Sequence, residues 1–461
     1  MLTLPRLVAD PPLEGSRIRG LSIAPDARWL MFLRGSEADS AMLDLWGMPL
    51  TAAGAAPRLL VRASDIVGQQ DEALSEEERM ARERKRIRLR GLVSYSYCGE
   101  DGHDLLLTLH GDLYHVVPKA PAPEITRLTA DGGPKLDVRG SPHGTMASYV
   151  KDNEVYATWV KTSTTRQLTQ GATATLHHGV AEFVAQEEMG RFDGHWWSKD
   201  ERYLAYTEVD VSPVSIKRRP RMHADRADLM EQRYPATGEA NARISVRVLD
   251  LQTSTDVKLA TPAEDGYIPR VDWFGDHQLY VQWQSRDQRL LVLCSAEPPR
   301  FRLTKVMEET DETWVESHHD LRVLRDGTVL WPSERSGMRQ LYRVAQDGLR
   351  TALTRSPDPV THVVAVDEDR GLLFYERATN RARERQLFSV PLAGGTETQL
   401  THGPGIHSVA GHRAGKAFIE SVSDLKTPWR TRILDGNATL LRELEPSVDA
   451  PWHQLRLPQT E

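Results

Sequence analysis

The residues best suited to chemistry are two adjacent acids, Glu187 and Glu188, in the most unusual stretch of the chain. That stretch, residues 180–198, reads Val-Ala-Glu-Phe-Val-Ala-Gln-Glu-Glu-Met-Gly-Arg-Phe-Asp-Gly-His-Trp-Trp-Ser. Two carboxylates held side by side can accept several charge-assisted hydrogen bonds from one cation. From these residues alone a second reading stands beside that one: a solvated surface pair, with Trp196 and Trp197 as ordinary core. The histidine pairs His177-His178 and His318-His319 read as solvated or hydrogen-bonded loop residues, and no metal is expected. Cys98 and Cys294 are the only cysteines. Two thiols make neither a disulfide framework nor a four-thiolate zinc site, and they read as buried free thiols. Hydrolytic machinery is missing from the sequence. There is no Gly-x-Ser-x-Gly turn, no His-Glu-x-x-His, no Walker loop and no Gly-x-Gly-x-x-Gly after a strand. No catalytic residue is therefore assigned, no cofactor is expected, and this chain by itself is expected to be inactive.

The elements that would position the acids recur along the chain. A turn of Pro, Asp, Gly or His type precedes a short apolar strand, and a second strand often follows. Ala24-Pro25-Asp26 leads into residues 29–33, Asp101-Gly102-His103 into 105–107, and Ser141-Pro142-His143-Gly144 into 146–150. Ser198-Lys199-Asp200 leads into residues 203–206, Gly275-Asp276-His277 into 279–281, and Arg325-Asp326-Gly327 into 329–331. Asp367-Glu368-Asp369 leads into residues 372–375, and the weakest copy is His412 to Gly415 before 417–419. Many units close on a Leu-Thr pair, at Thr129, Thr169, Thr304, Thr354 and Thr401. The spacing of these closures, roughly 40 to 50 residues, is what four short antiparallel strands require in a propeller blade. The expected class is all-β, an eight-bladed β-propeller over residues 16–445, with residues 1–15 as an N-terminal segment and 446–461 as an exit linker. An array of sandwiches or barrels is the structural alternative.

Two insertions break the rhythm. Residues 74–88 read as a polar helix, with Ser75 and Glu78 as a capping box and acids leading bases. Residues 211–243 carry seven Lys/Arg, four Asp/Glu and three prolines, and are too long for a blade loop, so an arm is expected. The 461 residues are 39% hydrophobic and 27% charged, with a net charge of −7, which supplies a large core and no basic excess for nucleic acid. No run of 18 apolar residues occurs, so no membrane-spanning helix is expected. Residues 1–5, Met-Leu-Thr-Leu-Pro, lack a signal-peptide layout. The compartment stays open between cytoplasm and, if a leader has been removed, periplasm.

Several segments, in order, resemble the dipeptidyl peptidase IV branch of the prolyl oligopeptidase family. Phe183 to Met189 followed by Trp196-Trp197-Ser198 is similar to its double-glutamate motif. Arg233-Tyr234-Pro235-Ala236-Thr237-Gly238 with Asn241 resembles its Tyr-Pro-x-x-Gly-x-x-Asn segment. Arg82-Glu83-Arg84-Lys85-Arg86 resembles its arginine-bearing helix, and Ser333 to Gly337 before Gln340-Leu341-Tyr342 resembles its later blades. The resemblance implies a propeller that gates substrate and recognises the free N-terminus for a serine exopeptidase releasing X-Pro or X-Ala dipeptides. It implies Glu187 and Glu188 as the anchor for the α-ammonium. Arg86 is the arginine expected at the substrate carbonyl, with Arg82 and Arg84 as helix-surface charges. His318 is a candidate border of the pocket for the N-terminal side chain, beside the plainer reading of a loop histidine. The implied partners are peptides, an α/β-hydrolase domain of the same protein that this chain does not contain, and a second copy in a homodimer joined partly by the arm. The competing expectation is a stand-alone propeller that binds peptides or proteins.

Overall fold

The computed structural model describes residues 3–7, 18–36, 39–51, 55–67, 74, 76–119, 122–427 and 429–444. Ser75, most of residues 1–15 and the whole of 446–461 lie outside the described residues. The expected all-β propeller class is what the strands form: eight successive antiparallel blade sheets. The first contains Arg19–Ile23, Trp29–Gly35, Met42–Pro49 and Arg58–Val61, paired in chain order. The next two run from Tyr95–Tyr97 to Glu124–Arg127 and from Leu136–Gly140 to Thr165–Gln167. The fourth is built on Leu176–His178, Tyr203–Asp210, Arg243–Asp250 and Asp256–Lys258. The fifth and sixth run from Gly266–Phe274 to Thr304–Thr310 and from Arg322–Val323 to Arg350–Ala352. The seventh and eighth, Val360–Asp367 to Thr398–Gln399 and Ile406–Gly411 to Leu440–Leu444, are bridged by one parallel pairing, Arg385 with Ile406.

The strands form because their apolar residues come in short runs between turns. Blade faces then bury those residues against the neighbouring blade. The chain divides into two compact units, one of residues 1–74, 86–126 and 320–461, the other of 75–85 and 127–319. In the first unit, Leu30, Phe32 and Met48 of the first sheet pack on Ala417, Ile419 and Ile433 of the eighth. The first and eighth sheets thereby share one core. In the second unit, Val155 and Ala157 of the third sheet meet Leu204 and Tyr206 of the fourth, whose Tyr203 and Val248 meet Val271 and Val281 of the fifth. Each fully buried leucine, valine or isoleucine contributes about 1.5–3 kcal/mol. Among the described residues, no helix is long and apolar enough to cross a membrane. Cys98 and Cys294 are buried and form no disulfide with each other.

The Leu-Thr closures have a common physical cause. The hydroxyl oxygen of Thr169 accepts the Val155 amide at 2.8 Å, Thr354 accepts Leu341 at 2.9 Å, and Thr401 accepts Leu387 at 2.8 Å. Each threonine hydroxyl in turn donates to Glu154, Gln340 or Gln386 at the start of the third strand. Thr304 differs: it is exposed and opens the last strand of its sheet.

Both expected insertions are present, with narrower limits. The polar helix spans Glu76–Arg84, and Lys85 and Arg86 form a turn after it. The arm is an antiparallel hairpin, Ile216–Met222 with Ala227–Arg233, lying between two strands of the fourth sheet.

Candidate functional site: a pinned loop carrying two acids

Glu187 and Glu188 end the six-residue helix Phe183–Glu188, on a loop that leaves the fourth sheet at Gly179 and returns at Gly194. At the base the two glycines cross. A Cβ built on Gly194 would lie 2.1 Å from the Gly179 carbonyl oxygen, so only glycine lets the backbones pass. Thr207 ties this crossing. Its amide donates to the Gly194 carbonyl at 2.9 Å and its hydroxyl to the Val180 carbonyl at 2.6 Å. Compact surface loops with adjoining ends are a common way to carry function on a sheet.

A buried polar cluster holds the returning strand. Asp137, at positive φ beside an irregularity in its strand pairing, accepts the Gly194 amide at 2.9 Å and Arg139 Nε at 2.9 Å. Arg139 also pairs with Asp193. His195 Nδ1 lies 3.4 Å from Asp137, and its Nε2 is 2.9 Å from Ser148 Oγ, which accepts Trp197 Nε1–H at 2.8 Å. Burial alone would raise the Asp137 pKa, but Arg139, His195 and the Gly194 amide hold its carboxyl below the usual carboxylate range. Burial pushes the His195 imidazole down against the opposing pull of Asp137.

The acids themselves are exposed. Arg84, at the end of the arginine helix, reaches Glu187 at 3.7 Å, donates to Gln186 Oε1 at 3.1 Å and lies over the Phe183 ring. Its side chain is 21% exposed against 34% for Glu187. Burial lowers the Arg84 pKa, and Glu187 opposes that shift. The reading of Arg84 as a helix-surface charge is therefore corrected. The helix ends at Arg84, which turns that side chain toward the acid loop, while Arg86 falls in the following turn, exposed and at φ +56°. Tyr234, in the Tyr-Pro segment, stands edge-on to Phe183 at 5.1 Å between ring centroids, and Asn241 donates to the Tyr267 hydroxyl at 3.1 Å.

His318 is buried. Its neighbour His319 is the exposed one of the pair, with Nε2 2.5 Å from Arg270 Nη2 and close to Gly190, just past the acids. The sequence had offered Arg84 only as a surface charge and His319 only as a loop residue, and Arg270 not at all. Sequence reasoning also passed over Glu182 and Arg191, which pair at 2.5 Å beneath the acid helix. A charged residue at each end of a short, mostly apolar segment was the available signal for that pair.

The chain as a whole is similar to known proteins. The family model for the dipeptidyl peptidase IV (DPP IV) N-terminal region matches residues 110–429. Inactive dipeptidyl peptidase 10 of Rattus norvegicus is 24% identical over 271 residues, 54% of this chain and 34% of that protein. Dipeptidyl peptidase 8 of Homo sapiens is 25% identical over 449 residues, 77% of this chain and 50% of that protein. The crystal structure of Porphyromonas gingivalis dipeptidyl peptidase 4 superposes with a TM-score of 0.77 at 20% identity, covering 96% of this chain and 62% of that one. The matched stretch thus spans a third to a half of the length of these curated relatives.

Proposed function

The chain belongs to the dipeptidyl peptidase IV N-terminal region family, and from that premise we propose that it recognises the free N-terminus of peptides for a dipeptidyl peptidase. The observation that supports this is the pair of exposed carboxylates, Glu187 and Glu188, on a loop whose base is buried and tied. A peptide α-ammonium has a pKa of about 7.7–8.0 and offers N–H donors that both acids can accept. Acetylation removes the charge and leaves the acids without a partner, which selects against blocked peptides. Arg84 balances the two negative charges and offers guanidinium donors for a substrate carbonyl, the role first expected of Arg86. In the whole protein, the distance from this anchor to a serine nucleophile on a hydrolase domain would define release of X-Pro or X-Ala dipeptides. The arm, residues 211–243, would contribute to a homodimer: Ile216, Met222 and Leu229 are exposed apolar residues on it.

The test is a titration of this chain with the tripeptide Ala-Pro-Ala, free and N-acetylated, followed by NMR. Hydrogen bonds to charged groups are worth about 1.5–3 kcal/mol, so Glu187→Ala or Glu188→Ala should weaken the free peptide by roughly 10- to 150-fold. Little change is expected for the acetylated peptide. Binding should also fade as pH rises through about 8, when the ammonium loses its proton. Parent-like affinity in both variants would defeat the proposal and leave the chain a general interaction module. Leu229→Glu should lower the mass of the whole protein in solution, and an unchanged mass would remove the arm from the interface.

A further inference from the structure

We propose that Glu182 and Arg191 are positioning residues that set the two acids of the proposed N-terminus site. The inference rests on that reading of the site, and it concerns why the acids stay where they are. The helix Phe183–Glu188 is too short to be stable alone. Its N-cap residue, Glu182, makes no side-chain cap hydrogen bond. Glu187 and Glu188 are exposed, and Arg84 meets Glu187 only at 3.7 Å. The contacts on its outer side, Arg84 to Gln186 at 3.1 Å and Tyr234 to Phe183, leave its buried side to be fixed.

Beneath it, Arg191 does what they do not. Its Nη2 donates to Glu182 at 2.5 Å, where both side chains are 2% exposed. Its Nε donates to the Ile268 carbonyl at 3.0 Å, on the first strand of the fifth sheet, and its Nη1 to the Asp193 carbonyl. The guanidinium lies 6.0 Å over the Trp196 ring. Its backbone amide donates to the Ala185 carbonyl at 2.9 Å, inside the helix. One side chain therefore links the start of the acid helix, the returning loop and the neighbouring sheet. A planar guanidinium has the donor fork for three such ties, whereas a lysine ammonium presents a single point charge.

The experiment pairs hydrogen exchange by mass spectrometry over residues 183–191 with the Ala-Pro-Ala titration, both on this full chain. Glu182→Gln with Arg191→Met removes both charges together, so neither is left buried alone. This double variant should keep its melting temperature within a few degrees. Exchange over residues 183–191 should nevertheless quicken at least tenfold, and affinity for the free peptide should drop at least tenfold toward the acetylated value. Arg191→Lys keeps the charge and should show the same changes at smaller amplitude. Parent-like exchange or parent-like affinity in either variant overturns the positioning role. Glu187→Ala separates the two ideas, because it should weaken the peptide while leaving exchange unchanged. If it leaves affinity intact, the N-terminus reading fails, and the exchange data alone then decide what Arg191 does.

Discussion

The fourth sheet supports two excursions of opposite construction. The acid loop crosses itself at Gly179 and Gly194, is tied by Thr207, and is held by Glu182–Arg191 and by Asp137, Arg139 and His195. The hairpin arm stands exposed, and its cross-strand contacts are surface pairs such as Arg218–Glu231 at 2.7 Å. Met222 is 75% exposed and Leu229 66%. Hydrogen-bonded groups at a buried loop base fix geometry, while exposed ones leave a surface open. One sheet thus carries a tied loop and an open hairpin, and the two meet where Tyr234 stands edge-on to Phe183.

A single methyl group should separate the two regions most widely. Gly194→Ala drives a Cβ into the Gly179 backbone, which cannot yield as a side-chain tip can. The expected loss is about 3 kcal/mol or more, read as a fall in melting temperature. Gly238→Ala, past the hairpin but within the arm segment, meets open space and carries only the cost of φ +83°, about 1–2 kcal/mol. If the two variants melt together, the crossing is not the rigid point described here.

Acid should loosen the loop before the arm. The folded pKa of His195 lies below its ordinary 6.5, and that of Asp137 below its ordinary 3.8. In each case the folded state binds fewer protons than the unfolded state. Stability is therefore full above the ordinary value and is lost as pH falls toward the folded one. The His195 contribution begins to fade below about 6.5, and the Asp137 contribution below about 4. Protection against hydrogen exchange, taken relative to the intrinsic rate at each pH, should fall over residues 179–195 between pH 7 and 4 and stay constant over residues 216–233. His195→Gln should remove the upper part of that response. The smallest effect belongs to the arm: a double-mutant cycle on Arg218 and Glu231 should give less than about 1 kcal/mol, screened further by salt. A coupling above 2 kcal/mol would mean that the pair is not a surface pair.

These contrasts also mark what the sequence made legible. Eight blades could be counted because each repeats a local pattern, an apolar run after a turn, that needs no distant partner. The threonine closures were visible for the same reason, and Thr304 misled because a Leu-Thr pair does not report where its hydroxyl points. Glu187 and Glu188 stood out only through the family motif, since two adjacent acids are usually solvated. Arg84 was misjudged because its role depends on where the helix stops, and Lys85 and Arg86 are no worse as helix residues. Asp137 and His195 lie in different sheets, and nothing local connects them. Glu182 and Arg191 were closer to hand, but a salt bridge beneath a helix reads in sequence as two more charges among many.

The crossing at Gly179 and Gly194 has a consequence for how such a chain can change over time. Because the loop departs and returns at one point, its contents can lengthen or shorten without shifting any strand register in the sheet. Each residue added to the acid helix turns the carboxylates that follow by about 100° and advances them about 1.5 Å. The position of the two acids is therefore adjustable in discrete steps, independently of the scaffold. On the proposed function, the peptide length that is selected can change while the blades that carry the loop remain the same.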